Sequence, residues 1–326
     1  MLSLSDRAVL ASPLPLIVAS EARLLGIRVT GARWMRLRRG IHVERAGYLA
    51  LPPWRRYAVR VHAFVQRHPD AILCLESAAV LHGLPLFGEP RDIHVHDPER
   101  ATSRRFGDVC VHTSVDARTV VRVGHTLLSS ALDTVTDLAR LLPPAHALAL
   151  VDSAISPVQG GTLSMERLWD HSLARVDDRG RRRLRWALGE SDKRSESPAE
   201  SISRAVISWS GFERPELQSE FRYDGALDRV DFLFPTRRAI GEADGWQKYG
   251  LTDPDAAARA LRDEKRREDR LRRHGHPFAR WELRDAWQVE PLCRALRAAG
   301  VPLVRPAQSQ MLASLRHNPR EKPRTP

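Results

Sequence analysis

Between Arg229 and Gly245 the chain reads RVDFLFPTRRAIGEADG, two apolar strand patterns joined by a short turn. Asp231, Glu242 and Asp244 are set among Val230, Phe232, Phe234 and Ile240. An ionised carboxylate in an apolar strand is costly unless a partner offsets it. These acids, with Glu200 upstream, restrict the fold to one that gathers them where a cation can meet them. Glu242 and Asp244 are two residues apart, so they share one face of their strand.

The surroundings fill in a domain. Ser197 is an N-cap, Pro198 suits the first helical position, and Glu200 lies three after the cap. That helix runs to Gly211. The strand ELQSEFRY follows, then the hairpin signal Asp224-Gly225 and the strand LDRVDFLF. After the turn at Pro235 and Thr236 comes the strand RRAIGEAD, then a charged helix from about Pro254 to Arg273, the strand PFARWEL and the helix VEPLCRALRAAG. The order is αβββαβα. Glu200 also fits a capping box, and Asp244 before Gly245 fits a turn, so each has a structural as well as a chemical explanation. Asp231 and Glu242 have the weakest structural explanation, although Arg280 could be a buried-strand partner of Glu242. Magnesium takes one or two carboxylates with water and phosphate oxygens, so the set implies magnesium or manganese and chemistry at a phosphodiester.

The chain has 326 residues and a formal charge of +12, which points to a polyanion such as DNA. Abundant arginine can also reflect genome composition. Only Lys193, Lys248, Lys265 and Lys322 are lysines. Lys248 and Lys265 fall beside the acids, where a compact charge could orient water or steady a phosphate, or where they simply line a solvated surface. Trp246 and Tyr249 could stack on bases or pack in a core. Cys74, Cys110 and Cys293 are too few and scattered for a disulfide framework or zinc site, which indicates a reducing, cytoplasmic setting. No apolar run approaches a membrane span.

Upstream, the expectation is a multidomain α/β chain. Residues 1–50 read as a winged helix-turn-helix. A helix ends at Gly26, a second is TGARWMRLRR, and IHVE pairs with GYLAL as the wing. Arg33, Arg36, Arg38 and Arg39 would then reach DNA phosphates. Residues 51–163 read as a small mixed α/β domain with the strands DIHVH and DVCVH. There His94 and His96 share a face, as do Cys110 and His112, a metal corner or an ordinary half-exposed sheet face. Residues 164–196 read as a helical linker, 197–305 as the acid-bearing domain, and 306–326 as a disordered basic tail.

The back of the chain resembles the PD-(D/E)XK nuclease superfamily, in its very-short-patch-repair-like branch. The matching pieces are Glu200-Ser201 with Arg204, Val230-Asp231-Phe232, Glu242-Ala243-Asp244-Gly245, the run from Glu264 to Leu271, and Arg280-Trp281. The resemblance implies a restriction-endonuclease-like fold, a divalent metal on Asp231 and Glu242, with Asp244 alongside, and DNA cleavage. The superfamily usually carries lysine where Asp244 stands, and Lys265, inside the family-like run, is the residue expected to replace it beside Glu200, Asp231 and Glu242. The front resembles the AbiEi family of antitoxins through Arg36 to Ile41, Glu76 to Leu84, and the helix with Asp133 and Asp137. The family often has tyrosine where His42 stands. That resemblance implies promoter binding and raises the question of a toxin partner. It leaves a second expectation, a DNA-binding regulator whose nuclease domain no longer cuts.

Overall fold

The computed structural model describes residues 7–244 and 254–322. The described chain is mixed α/β with three sheets. It divides into two compact units: Met1–Leu142 with Gly160–Gly189 and Asn318–Pro326, and Pro143–Gln159 with Glu190–His317.

The first unit opens with β1 (Ile17–Val18), α1 (Ala19–Leu24), β2 (Trp34–Arg38), β3 (Ile41–Glu44) and α2 (Arg45–Ala50). The strands form a sheet in the order β1-β3-β2. Two expectations are corrected here. TGARWMRLRR is no recognition helix, because its middle is β2. Arg39 and Gly40, the latter at φ 76°, make a two-residue connection to β3, and so short a link closes only between paired strands. GYLAL is not a wing strand, since β3 already pairs with β2, and Tyr48 instead buries its ring from α2. Arg33, Arg36, Arg38 and Arg39 thus lie on or beside a hairpin.

The unit continues with α3 (Pro53–Val65), β4 (Ile72–Leu73), α4 (Leu75–Leu81), β5 (Ile93–His96), β6 (Arg104–Phe106), β7 (Val109–His112), β8 (Val120–Val123), β9 (Thr126–Ser129) and α5 (Ala131–Leu141). The six strands order as β6-β7-β5-β4-β9-β8. Tyr57, Val61, Leu73, Leu81, Ile93 and Leu128 make its core. Next, α6 (Pro144–Ile155) belongs to the second unit, whereas α7 (Met165–Ala174) and nearly all of α8 (Arg181–Glu190) return to the first. The stretch read as a linker is therefore packed structure as far as α8, with Leu168, Leu184, Ala187 and Leu188 buried.

The second unit runs α9 (Pro198–Trp209), β10 (Glu216–Tyr223), β11 (Ala226–Phe234), β12 (Ala239–Asp244), α10 (Pro254–Arg273), β13 (Phe278–Glu282), α11 (Leu283–Gln288), α12 (Glu290–Ala298) and α13 (Ser309–Ala313). The expected αβββαβα order is present, with α11 added before the closing helix. Its sheet is β10-β11-β12-β13, antiparallel except for the parallel β12–β13 pair. Asp224 and Gly225 both take positive φ, as a tight hairpin turn requires. Ser197 caps α9 by accepting the Glu200 N–H at 3.2 Å. Arg204 on α9 forms a buried ion pair with Asp152 on α6. Trp281 stacks on Phe232 and donates its indole N–H to Ser203 at 2.8 Å.

From Pro306 to Lys322 the chain is not the disordered tail its composition implies. It holds α13 and the buried Leu315. Farther on, Glu321 bridges to Pro90, and Arg320 pairs with the buried Glu76. Among the described residues no helix is long and apolar enough to cross a membrane.

Candidate functional site: carboxylates around Asp231

Strand register brings the acids together. Phe232 pairs with Gly241 across β11 and β12, so one step further Asp231 stands opposite Glu242. The backbone ladder stops there. The Ala243 N–H donates instead to the Asp231 carboxylate at 2.9 Å. On the other flank, Leu217 pairs with Phe232 and Ser219 with Val230, which sets Gln218 opposite Asp231. Gln218 has φ 56°, a left-handed conformation that costs a non-glycine residue about 1 kcal/mol or more. Its amide donates to Glu200 at 3.0 Å.

Glu200 is buried at the start of α9 and also accepts from the Glu196 N–H at 2.9 Å and the Ser197 hydroxyl at 2.7 Å. Burial first, and then the negative charge of Asp231, raise its pKa to about 7. Glu242 is 4% exposed, and burial followed by the same Asp231 charge raises it to about 7. Asp231 is thus the shared neighbour that adds to burial in making both glutamates hard to ionise. Three carboxylates held this way repel one another until a proton or a cation arrives.

The nearest fixed cation is Arg267 on α10. Its Nη2 lies 3.1 Å from Glu242 Oε1, yet that buried oxygen receives no well-aligned hydrogen bond. Arg267 is held mainly by Glu264, through bonds of 3.0 and 2.8 Å, and by the Arg229 carbonyl at 2.9 Å. Two bonds from Arg270 to Asp228, at 2.7 and 2.6 Å, and the buried Leu271 against Val230 and Ile240 seat that part of α10 on β11 and β12.

Arg280 is opposite Glu242 in the parallel β12–β13 register, but it turns to Glu264 at 2.7 Å, Glu268 at 3.5 Å and Asp244 at 3.6 Å. Asp244 therefore faces an arginine. Lys265 is exposed on α10. Glu264, Arg267, Glu268 and Leu271 share one helical face, and Lys265 is about 100° round from Glu264. Lys248, Trp246 and Tyr249 lie outside the described residues. Gln218 and Arg267 are the two site residues the sequence reading missed. Arg267 carried a signal, four residues before the apolar Leu271 on the same face, whereas nothing in ELQSEFRY singles out Gln218.

Among the described residues no three His, Cys, Asp or Glu side chains are gathered tightly enough to hold a metal ion as they stand. The donor chemistry nevertheless suits a divalent cation. Glu200 and Glu242 both feel the negative charge of Asp231, and Glu242 keeps a buried oxygen whose contact to Arg267 at 3.1 Å is poorly aligned.

In the first unit, Arg33 pairs with Glu44 at 3.3 Å and Arg38 with Asp108 at 2.9 Å, while Arg36 and Arg39 are exposed. The histidine face resolves into a His94–His112 hydrogen bond of 2.8 Å, with Glu76 at 3.3 Å from His94 and Arg320 beside both. No protein-family model matches the chain, and no curated protein or solved structure matches it either.

Proposed function

We propose that the second unit hydrolyses phosphodiester bonds in DNA with the help of magnesium or manganese. The observation that carries this reading is the placing of Asp231 opposite Glu242, with Glu200 linked to the same point through Gln218. Few catalytic tasks need buried acids so arranged. Asp231 and Glu242 would hold the ion, with Asp244 at the rim. Charge neutralisation at the phosphate and an activated water are what such an ion supplies when bound.

The chain's own residues supply the remainder. Glu200, raised to about 7, can accept or release a proton near neutral pH. Gln218 orients Glu200 by its amide bond. Arg267 contributes a fixed positive charge beside Glu242, in the role that lysine plays in the nucleases this unit resembles. The test is cleavage of plasmid and linear DNA with magnesium or manganese, run beside Asp231→Ala. Cleavage that vanishes in the variant is expected. Equal cleavage by both proteins would overturn the reading.

A second reading is favoured by the Arg280–Asp244 ion pair at the usual lysine position. There the protein is an antitoxin-like DNA-binding regulator whose second unit no longer cuts. The same assay would then show DNA retarded in a gel and uncut under every divalent metal.

A further inference from the structure

The first unit contains a cleft of about 520 Å³ that borders the β2–β3 hairpin. Pockets of this size hold small ligands, on the scale of one nucleotide. Seven cationic side chains line it against three carboxylates, Glu89, Asp92 and Asp108. Each carboxylate is already engaged. Glu89 meets Arg56 and Arg60, both at 3.3 Å, and also Lys322. Asp108 meets Arg38 at 2.9 Å and Arg60 at 3.1 Å, and Asp92 meets Arg105 at 2.7 Å. The lining therefore keeps an excess of four positive charges, seven less three.

The floor is built and the rim is open. Arg60, 6% exposed, is fixed by the carbonyls of Pro90 at 2.8 Å and Arg91 at 2.7 Å. Beside it, Arg38 has a buried Nε–H that donates to nothing, while the Arg56 Nε faces Glu89 at 3.3 Å. A buried guanidinium N–H without an acceptor is costly, and an entering anion would supply the acceptor. Arg36 and Arg91 are exposed at the edge, and the chain gives Arg36 no carboxylate partner among the described residues. Met35 and Leu37, both half-buried, add an apolar wall to this basic lining, and Tyr48, its ring buried in the core, also borders it.

Excess charge, an unsatisfied donor and an apolar wall in a nucleotide-sized cleft fit one ligand chemistry. We propose that this cleft binds nucleotide phosphate, carried by a single strand of DNA, with the base against Met35 and Leu37. The cleft is too small for a duplex, and Arg36 reaches it from a strand rather than from a recognition helix. This assignment does not depend on cleavage by the second unit.

The test uses the full chain in EDTA. Binding of a fluorescent single-stranded oligonucleotide is followed by anisotropy from about 50 to 300 mM salt, a range that separates charge-driven binding. The double variant Arg36→Glu/Arg91→Glu should bind at least about tenfold more weakly, with the salt slope reduced by about 1.4 for two lost phosphate contacts. Displacement by millimolar ATP would place the recognition in a free nucleotide, and displacement by unlabelled strand alone would place it in the chain; either supports the phosphate site. Arg36→Gln, a milder change at an exposed position, should weaken binding in the same direction. Unchanged affinity and salt slope in the double variant would overturn the proposal, as would failure of the parent to bind strand or ATP at the lowest salt. The readout is binding without metal and involves no cleavage, so its failure and failure of the cleavage reading are told apart.

Discussion

Arg267 Nη2 lies 3.1 Å from Glu242 Oε1, although strand pairing places Arg280, not Arg267, beside that glutamate. The helix therefore delivers the cation that the neighbouring strand withholds. Arg267→Ala should lower single-turnover cleavage by roughly 10²–10³-fold, the scale of losing one electrostatic stabiliser. It should also tighten magnesium binding measured by calorimetry, because a competing cation leaves Glu242. Arg267→Lys should fall between. A variant that merely melts earlier, with magnesium affinity unchanged, would make Arg267 a structural residue.

Asp231 is the charge that Glu200 and Glu242 share. Removing it in Asp231→Asn should let both glutamates titrate lower, from about 7 toward the ordinary carboxylate range. Carboxyl carbon resonances followed by NMR between pH 3 and 9 would show two midpoints moving together. Midpoints that stay put would mean that burial alone sets them and that the three acids do not meet.

The same shifts carry a stability consequence. A carboxyl whose pKa is higher in the folded than in the unfolded chain favours folding while protonated. That contribution is present below the unfolded value near 4.5 and is lost as pH rises to about 7. Glu242→Gln cannot lose it. The variant's melting temperature, measured without metal, should therefore gain on the parent's between pH 5 and pH 8, by on the order of 1–3 kcal/mol of stability. Buried histidines act the other way in this range, but they act alike in both proteins. Magnesium added at pH 8 should raise the parent's melting point more than the variant's.

The second unit was the more legible part of the chain, for local reasons. Ser197-Pro198, Asp224-Gly225 and Gly275 each mark a boundary with chemistry that needs no tertiary help. Period-two patterns then place β11 and β12, and with them Asp231 and Glu242. Gln218 was hidden because its role comes from an unusual backbone angle and from register, neither of which residue type announces. In the first unit, WMRLR has apolar residues at spacings that suit a helix turn as well as a strand. The Arg39-Gly40 link decided for the strand. The C-terminal stretch was misjudged because polar, basic composition conceals a few buried contacts, among them Leu315 and the pairing of Arg320 with Glu76.

That contact can be tested by itself. Glu76 is 1% exposed, and burial alone would raise its pKa, yet the Arg320 guanidinium and then His94 hold it at about 2. With a folded value below the unfolded one, Glu76 adds stability that is present above pH 4.5 and lost as pH falls toward 2. Arg320→Ala leaves a buried carboxylate without its main partner, which should cost about 3–5 kcal/mol at pH 7. Burial should then push Glu76 above its unfolded value, so the deficit should shrink as pH falls and the acid takes up a proton. Adding Glu76→Gln to Arg320→Ala should recover part of the loss, since the orphaned charge is gone. Urea denaturation of the three proteins at pH 7 and pH 5 measures both effects. A parent and an Arg320→Ala variant of equal stability at pH 7 would show that the C-terminal segment rests on the first unit without holding it.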